Sequence, residues 1–558
     1  MSVSPVVPPN RSGRRAVARN RGGALGAAGV LAVGSAGALL AAFAGSAGAA
    51  STLTVDSNAD GAATAANCTD GTPGNCTLRD AAAQANDGDT INFDAGITSI
   101  NLTAGAVNLR AVQIIGTGSA NLTVTTTGAA GAYDTFNLGG TGDVTISGIT
   151  ITKNRVTSTN DGNLTLDDVT ITGSTGTNGG ALFAYNRGDL DITGSTFADN
   201  AANYVGGAIN ANNSGTVTIT GSIFTNNDAG TSGGAVYAYN EDIEVTDSTF
   251  TGNSAVDKGG GLRSTNNGAV TITRTTISDN SSVGGGGGLD IGVNGFAGGA
   301  VLIDSSTISG NISSASDGGG LYFRSVGGFT MLNSTVSGNS AYDGAGMELS
   351  DVEDVVIANS TIANNTGDAN QGDGGALYFR GYLTGDVEIL FTTISGNSSN
   401  SNTIKIFSLG EFSVGMTGVA ISDNTTSAGS GILATDIVCE NSASGTLTLN
   451  NSLVMGAITT PGLAGGGNLL GVSAKLGPLV NNGGATKTMA PLAGSPAVDS
   501  GPLTWTPFAG DGFDQRATPY LRFSGTSADM GAYEVQPEPE PTTTTTIGVD
   551  PVVPAFTG

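Results

Sequence analysis

The sequence predicts an all-β parallel β-helix, a solenoid in which each coil stacks on the last. Three observations lead there. A hexad of the form S-T-F/I-x-x-N recurs as STFADN, SIFTNN, STFTGN, TTISDN, STISGN, STVSGN, STIANN, TTISGN and, more loosely, VAISDN. It places Asn200, Asn227, Asn253, Asn280, Asn311, Asn339, Asn365, Asn397 and Asn424 at intervals of 26 to 32 residues. A short V-x-I run precedes many hexads (VTI at 217–219, IEV at 243–245), and a Gly turn with an apolar residue follows (GGAI at 206–209, GGAV at 233–236). Finally, no stretch between residues 100 and 500 has convincing helical periodicity.

Each feature of the repeat has a physical reading. Three short β-branched runs in about 28 residues are too few for a propeller blade, and the lack of helices excludes helical solenoids and βαβ folds. Period-two alternation turns Val217 and Ile219 inward and Thr218 and Thr220 outward. Equivalent Asn then stack at the turns, where their amides can satisfy buried backbone. At about 4.8 Å per coil, some 480 residues give roughly 17 coils and a rod of about 80 Å.

The segments follow in order. Residues 1–50 read as an export signal. Arg11, Arg14, Arg15, Arg19 and Arg21 precede an uncharged Ala/Gly/Leu/Val run to about Ala44, then GSAGAAS, with cleavage expected near Ala49 or Ala50. A membrane-anchoring helix is the alternative, weakened by the small transfer energy of Gly and Ala. Arg14-Arg15 leaves Sec and twin-arginine export both open. Residues 51–99 form an N-terminal cap with a helix over CTLRDAAAQAND, where Thr77 and Asp80 make a capping-box-like pair. Cys68 and Cys76 flank a short turn-rich loop and are expected to pair in an oxidising compartment, three free thiols being the alternative; Cys439 has no obvious partner. Residues 100–465 hold the repeats, 466–535 a C-terminal cap, and 536–558 a Pro/Thr-rich solvated linker. No transmembrane anchor is expected in the mature chain.

Composition narrows the function. The 558 residues include 90 Gly and no His, which removes Ser-His-Asp catalysis and every His-ligated metal site. Five of the twenty basic residues lie in the first 21, where there is no acid, so residues 51–558 hold 15 Lys+Arg against 46 Asp+Glu, a net of −31. Such a field repels phosphate backbones, so nucleic acid is not an expected partner.

The alternating FxxN (Phe197/Asn200, Phe224/Asn227, Phe250/Asn253) and GGA[ILV] signals resemble the repeats of polymorphic membrane proteins of the chlamydial type. That resemblance implies a right-handed parallel β-helix and an adhesive role. Around Cys76, Leu78, Arg79 and Ala81 the chain resembles the CSLREA domain, with Thr77 and Asp80 in place of Ser and Glu. The stretch from GNLLGVSAKLGPLV through DQR (514–516) to ADMGAYE (528–534) resembles the choice-of-anchor Q region of bacterial surface proteins, which implies closure of a β-helix ahead of an anchor. Met489 stands where that family often has His. Asp499, Asp514, Arg516 and Asp529 are expected to tie this cap together as an ion-pair network.

Two sets of residues invite chemistry. On the strand after each Gly turn, Phe183, Tyr237, Tyr322 and Tyr378 point outward, with Tyr185, Tyr239, Arg324 and Arg380 two residues on. Such an aromatic and Arg stripe suits sugar rings and carboxylates, although Asn210, Arg263, Asp290 and Glu348 interrupt it; strand propensity on a solvated face is the plainer account. Before the Gly turns, Asp257, Asp317, Asp343 and Asp373 would make an acidic ladder for Ca²⁺ if stacked, though Asp also simply favours turns. Asp167-Asp168 is the one adjacent Asp pair of the kind β-helix hydrolases use, without the downstream partners. The expectation is an exported, cell-surface or secreted scaffold or adhesin, more readily non-catalytic, that meets extracellular glycans. The alternative is a Ca²⁺-dependent polysaccharide lyase or hydrolase.

Overall fold

One coil shows how the repeat winds. Val217–Thr220 and Ile223–Thr225 are separated by a single turn, Asp228–Ala229 takes the next corner, and Val236–Ala238 follows the Gly turn. Each strand pairs in parallel with its equivalents in the coils before and after: Val217 with Leu190 and Ile243, Val236 with Ile209 and Leu262. Carried along the chain, the first two runs build a main sheet of 29 strands, the corner pairs a sheet of ten, and the post-Gly strands a side sheet of 14. The chain is therefore an all-β parallel β-solenoid. The computed structural model describes residues 50–537, apart from positions 70, 129–130, 132–133, 213–214, 240–241, 266–267, 293–297, 369–371, 383–384, 410–412, 427–434, 441–444 and 505–511. The expected export signal (except Ala50) and nearly all of the linker lie outside these residues.

Inward residues fill one continuous apolar lumen. Val217, Ile219, Phe224 and Val236 are fully buried, as are their equivalents coil after coil. Phe197, Phe224 and Phe250 stack with centroids 4.9 and 4.6 Å apart. The nine Asn form the expected ladder. Asn253 Nδ2 donates to Asn280 Oδ1 at 2.9 Å and to the Phe224 carbonyl at 3.1 Å, and its Oδ1 accepts from Asn227. The last, Asn424, donates to Asp436. The residue before each ladder Asn is always Asp, Asn or Gly, because the chain there is left-handed (φ +55° at Asp199, +66° at Gly252), a region these types tolerate. A second ladder uses the first hexad position: the backbone N–H of Ser195 donates to Ser222 Oγ, Ser222 to Ser248, and so on to Ser360. The Gly pairs permit close stacking, since a Cβ on Gly207 would lie 2.0 Å from the Gly234 carbonyl of the next coil.

The ends differ from expectation in extent. Thr52–Val55 pairs with Thr90–Phe93, so stacking starts inside the N-terminal segment. The helix there, Leu78–Gln84, carries the Thr77/Asp80 capping box, and a disulfide joins Cys68 to Cys76. Fourteen strands in the side sheet fall short of the roughly 17 coils expected, because residues after Leu470 leave the stack. They run back along the flank of the main sheet. The Lys487 carbonyl accepts from Thr335 Oγ1 (2.6 Å), Arg522 Nη2 donates to Asn359 Oδ1 (3.0 Å), and the Ala532 amide donates to Thr393 Oγ1 (2.9 Å). Met530, Ala497 and Ala474 pack on Ala420 and Leu453. Within this strap Arg516 pairs with Asp514 and lies between the Tyr520 and Tyr533 rings. Asp499 and Asp529 stay outside that pair, joined instead by the Asp499 amide donating to Asp529 Oδ1. Arg522, fully buried, meets Glu534 at 3.9 Å, and burial pushes the Glu534 carboxyl up to about 8.

Candidate functional site

Because the side sheet is in register from Phe183 to Lys405, its second strand position forms one outward column. It reads Phe183, Asn210, Tyr237, Arg263, Asp290, Tyr322, Glu348, Tyr378 and Lys405. Beside it, Arg324, Ser350 and Arg380 align in a second column. The two stripes expected from the sequence are thus brought together, with the same interruptions. Exposure differs along them. Tyr185 and Tyr239 are 58% and 59% exposed, and Phe183, Tyr237 and Tyr322 are half-buried. Tyr378 is only 7% exposed, so it offers no stacking platform; the Lys405 ammonium sits 5.9 Å from its ring.

The interruptions hold the densest chemistry. Asp290, fully buried, accepts from Arg263 Nη1 at 2.7 Å and from Arg324 Nη2 at 3.4 Å. Burial raises its carboxyl, against the pull of Arg263, Arg324 and Lys258. Glu348, also fully buried, lies between Tyr322 and Tyr378 in the column and 3.7 Å from Arg380 Nη1, which is in turn 3.7 Å from Asp317. Glu348 accepts from no N–H or hydroxyl among the described residues and faces the Asp317 carboxyl instead; burial first, then the Asp317 charge, pushes this carboxyl well up, so that the two acids can share a proton. Asp343 is raised to about 6, by burial and by Asp317 and Asp373. Burial likewise pushes the Tyr322 and Tyr378 hydroxyls up to about 12. Glu348 and Asp290 carry no role in the sequence analysis; an acid in the outward column, between two tyrosines for Glu348 and next to Arg263 for Asp290, is the available signal.

Asp317, Asp343 and Asp373 do stack, linked by Gly318 N–H to the Asp343 carbonyl and Gly344 N–H to the Asp373 carbonyl. Asp257 does not join them. An extra residue before its Gly run puts Lys258 in the column and leaves Asp257 one position off. The stacked acids are met by cations, Asp317 by Arg380 and Asp373 by Lys405 at 2.5 Å. Among the described residues no three His, Cys, Asp or Glu side chains converge as a metal site. Asp168 has φ +50° and accepts from Ser119 Oγ at 2.6 Å, a turn role.

No family model matches the chain, and no curated protein matches it. Three solved structures align with it at low similarity. The tailspike protein 3 of bacteriophage CBA120 aligns at 14% identity and TM-score 0.37, over 73% of this chain and 58% of its own length. Pectate lyase Pel9A aligns at 16% identity and TM-score 0.31, over 87% and 96%. The A-module of the Azotobacter vinelandii mannuronan C-5 epimerase AlgE6 aligns at 14% and 0.29, over 70% and 92%. This chain thus spans little more than half of the tailspike's length, and no site residue is carried over from any of the three.

Proposed function

We propose that this chain is an exported bacterial surface protein whose side sheet binds extracellular glycans, an adhesin or binding scaffold in which the coils set the spacing of the contacts. The observation that carries this reading is the outward column of Tyr237 and Tyr322, flanked by exposed Tyr185 and Tyr239 and by Arg324 and Arg380, on a flat parallel sheet. Aromatic faces stack on sugar rings, and guanidinium forks pair with carboxylates or bridge hydroxyls. The N-terminal segment fits a CSLREA-like cap, and residues 466–535 fit a choice-of-anchor Q-like closing region. A glycan array probed with the full chain tests the reading. Binding should weaken strongly when Tyr237, Tyr239 and Tyr322 are changed together to Ala; unaltered binding removes the side sheet from the proposal.

One observation favours a second reading, a polysaccharide-cleaving enzyme. Asp343, raised to about 6, is poised to exchange protons near neutrality beside Asp317, Glu348 and Arg380. New reducing ends or unsaturated products from polysaccharides, lost in Asp343→Asn, would establish it in place of simple binding.

A further inference from the structure

Residues 51–558 carry a net charge of −31, yet Lys258, Arg263 and Arg324 gather around one carboxylate on the side sheet. Arg263 is committed to Asp290. Arg324 reaches the same oxygen with Nη2 alone, and its buried Nε–H has no acceptor among the described residues. Lys258 is half-buried and has no ion pair within 4 Å among them; burial, then Arg324, lowers its ammonium. The other acids close by are Asp257, exposed and beside Lys258, Asp317, already met by Arg380, and Glu348, next to Tyr322 in the column. Between Lys258 and Asp317 in the turn column lies Gly285, which projects no side chain; a Cβ there would stand 2.8 Å from the Tyr322 ring. The Tyr322 ring lies against Gly285 in the place a side chain would take, with Arg324 over that ring at 5.1 Å from its centroid, so Lys258, Arg324 and Tyr322 form one surface cluster.

We infer that this cluster is an oxyanion subsite, taking the carboxylate or sulfate of an acidic polysaccharide between Lys258 and Arg324, with the sugar ring beside Tyr322. The inference rests on the glycan-binding reading and names its substrate class. Charge arithmetic supports it: Lys258, Arg263 and Arg324 against Asp290 and the neighbouring Asp257 leave one positive charge uncompensated, and screening over about 8 Å at physiological salt weakens the field of more distant acids. A planar guanidinium with a free N–H beside a mobile ammonium suits a carboxylate or sulfate better than a neutral hydroxyl.

The test uses the full chain with polygalacturonate, chondroitin sulfate and neutral dextran, by affinity electrophoresis or calorimetry. The wild type should bind one or both acidic polymers more tightly than dextran, the preferred polymer telling carboxylate from sulfate. Lys258→Met should weaken acidic binding about tenfold and leave dextran unchanged, and Arg324→Met should weaken acidic binding at least as much. Asp290→Asn, which removes the internal competitor, should strengthen it, and this variant keeps the test open if an Arg324 variant folds poorly. Acidic binding unaltered in Lys258→Met and unimproved in Asp290→Asn overturns the subsite, and so does a wild type with no preference for acidic polymers. In either case neutral-glycan binding lost with the three tyrosines would leave the broader reading standing. No binding to any glycan would end both.

Discussion

Two of the regions in which the solenoid buries polar side chains treat them differently. In the ladder from Asn200 to Asn424 the amides receive and donate along the axis, so each coil satisfies its neighbour. On the side sheet, Asp290 Oδ2 and Arg324 Nε are buried without hydrogen bonds among the described residues, and buried Glu348 has another carboxyl, Asp317, as its side-chain partner. The first pattern is how a fold stabilises itself. The second costs stability, because a buried polar group without a partner loses its hydration and regains nothing. Such a cost persists where something other than folding is served.

The comparison can be broken most sharply in the ladder. Asn280→Ala removes bonds to the Phe250 carbonyl and to Asn311 and strands the Asn253 amide, so a loss of about 3 kcal/mol is expected in urea unfolding. A loss under about 1 kcal/mol would mean that the ladder is not what holds the coils together.

A smaller and opposite effect is expected where carboxyls are raised. A carboxyl with a raised folded value keeps its proton longer in the fold than in the unfolded chain. The native state then binds more protons in that window, and stability falls as pH climbs through it. Asp343, at about 6, and Glu534, at about 8, therefore make the melting temperature decline from the ordinary carboxylate range up to about pH 8. Glu534→Gln should flatten the upper part of that decline and Glu348→Gln should stabilise at pH 8 but not at pH 4. A melting temperature that rises over this range would contradict the assigned directions. The smallest effect belongs to exposed Tyr239: Tyr239→Ala should shift stability by no more than about 0.5 kcal/mol, any change appearing in glycan binding instead.

Much of this was legible in the sequence, for one reason. Strand period and repeat length together fix register, so the outward column could be read residue by residue, interruptions included. Coverage could not. Asp290, Glu348 and Tyr378 all point away from the lumen yet are buried, because long side chains from adjacent coils lie across them. Asp257 was placed in the acidic column because Lys258 adds a residue that motif spacing alone does not reveal. The Ser/Thr ladder was visible as a recurring letter without a role, since its bonds run to the next coil's backbone. The strap had no period to announce it, and Arg522 gave no hint that it would be buried against Phe391 and Glu534.

That strap alters how the stack would come apart. A column in which each layer grips only the next frays from its ends, layer by layer. Here residues 474–532 clasp layers from Asn333 to Leu453 at once, so the final third must release together or not at all. Tension applied beyond residue 535 would enter mid-column through these clasps and bypass the terminal layer, giving the rod a mechanical clutch at the end where a pull would arrive.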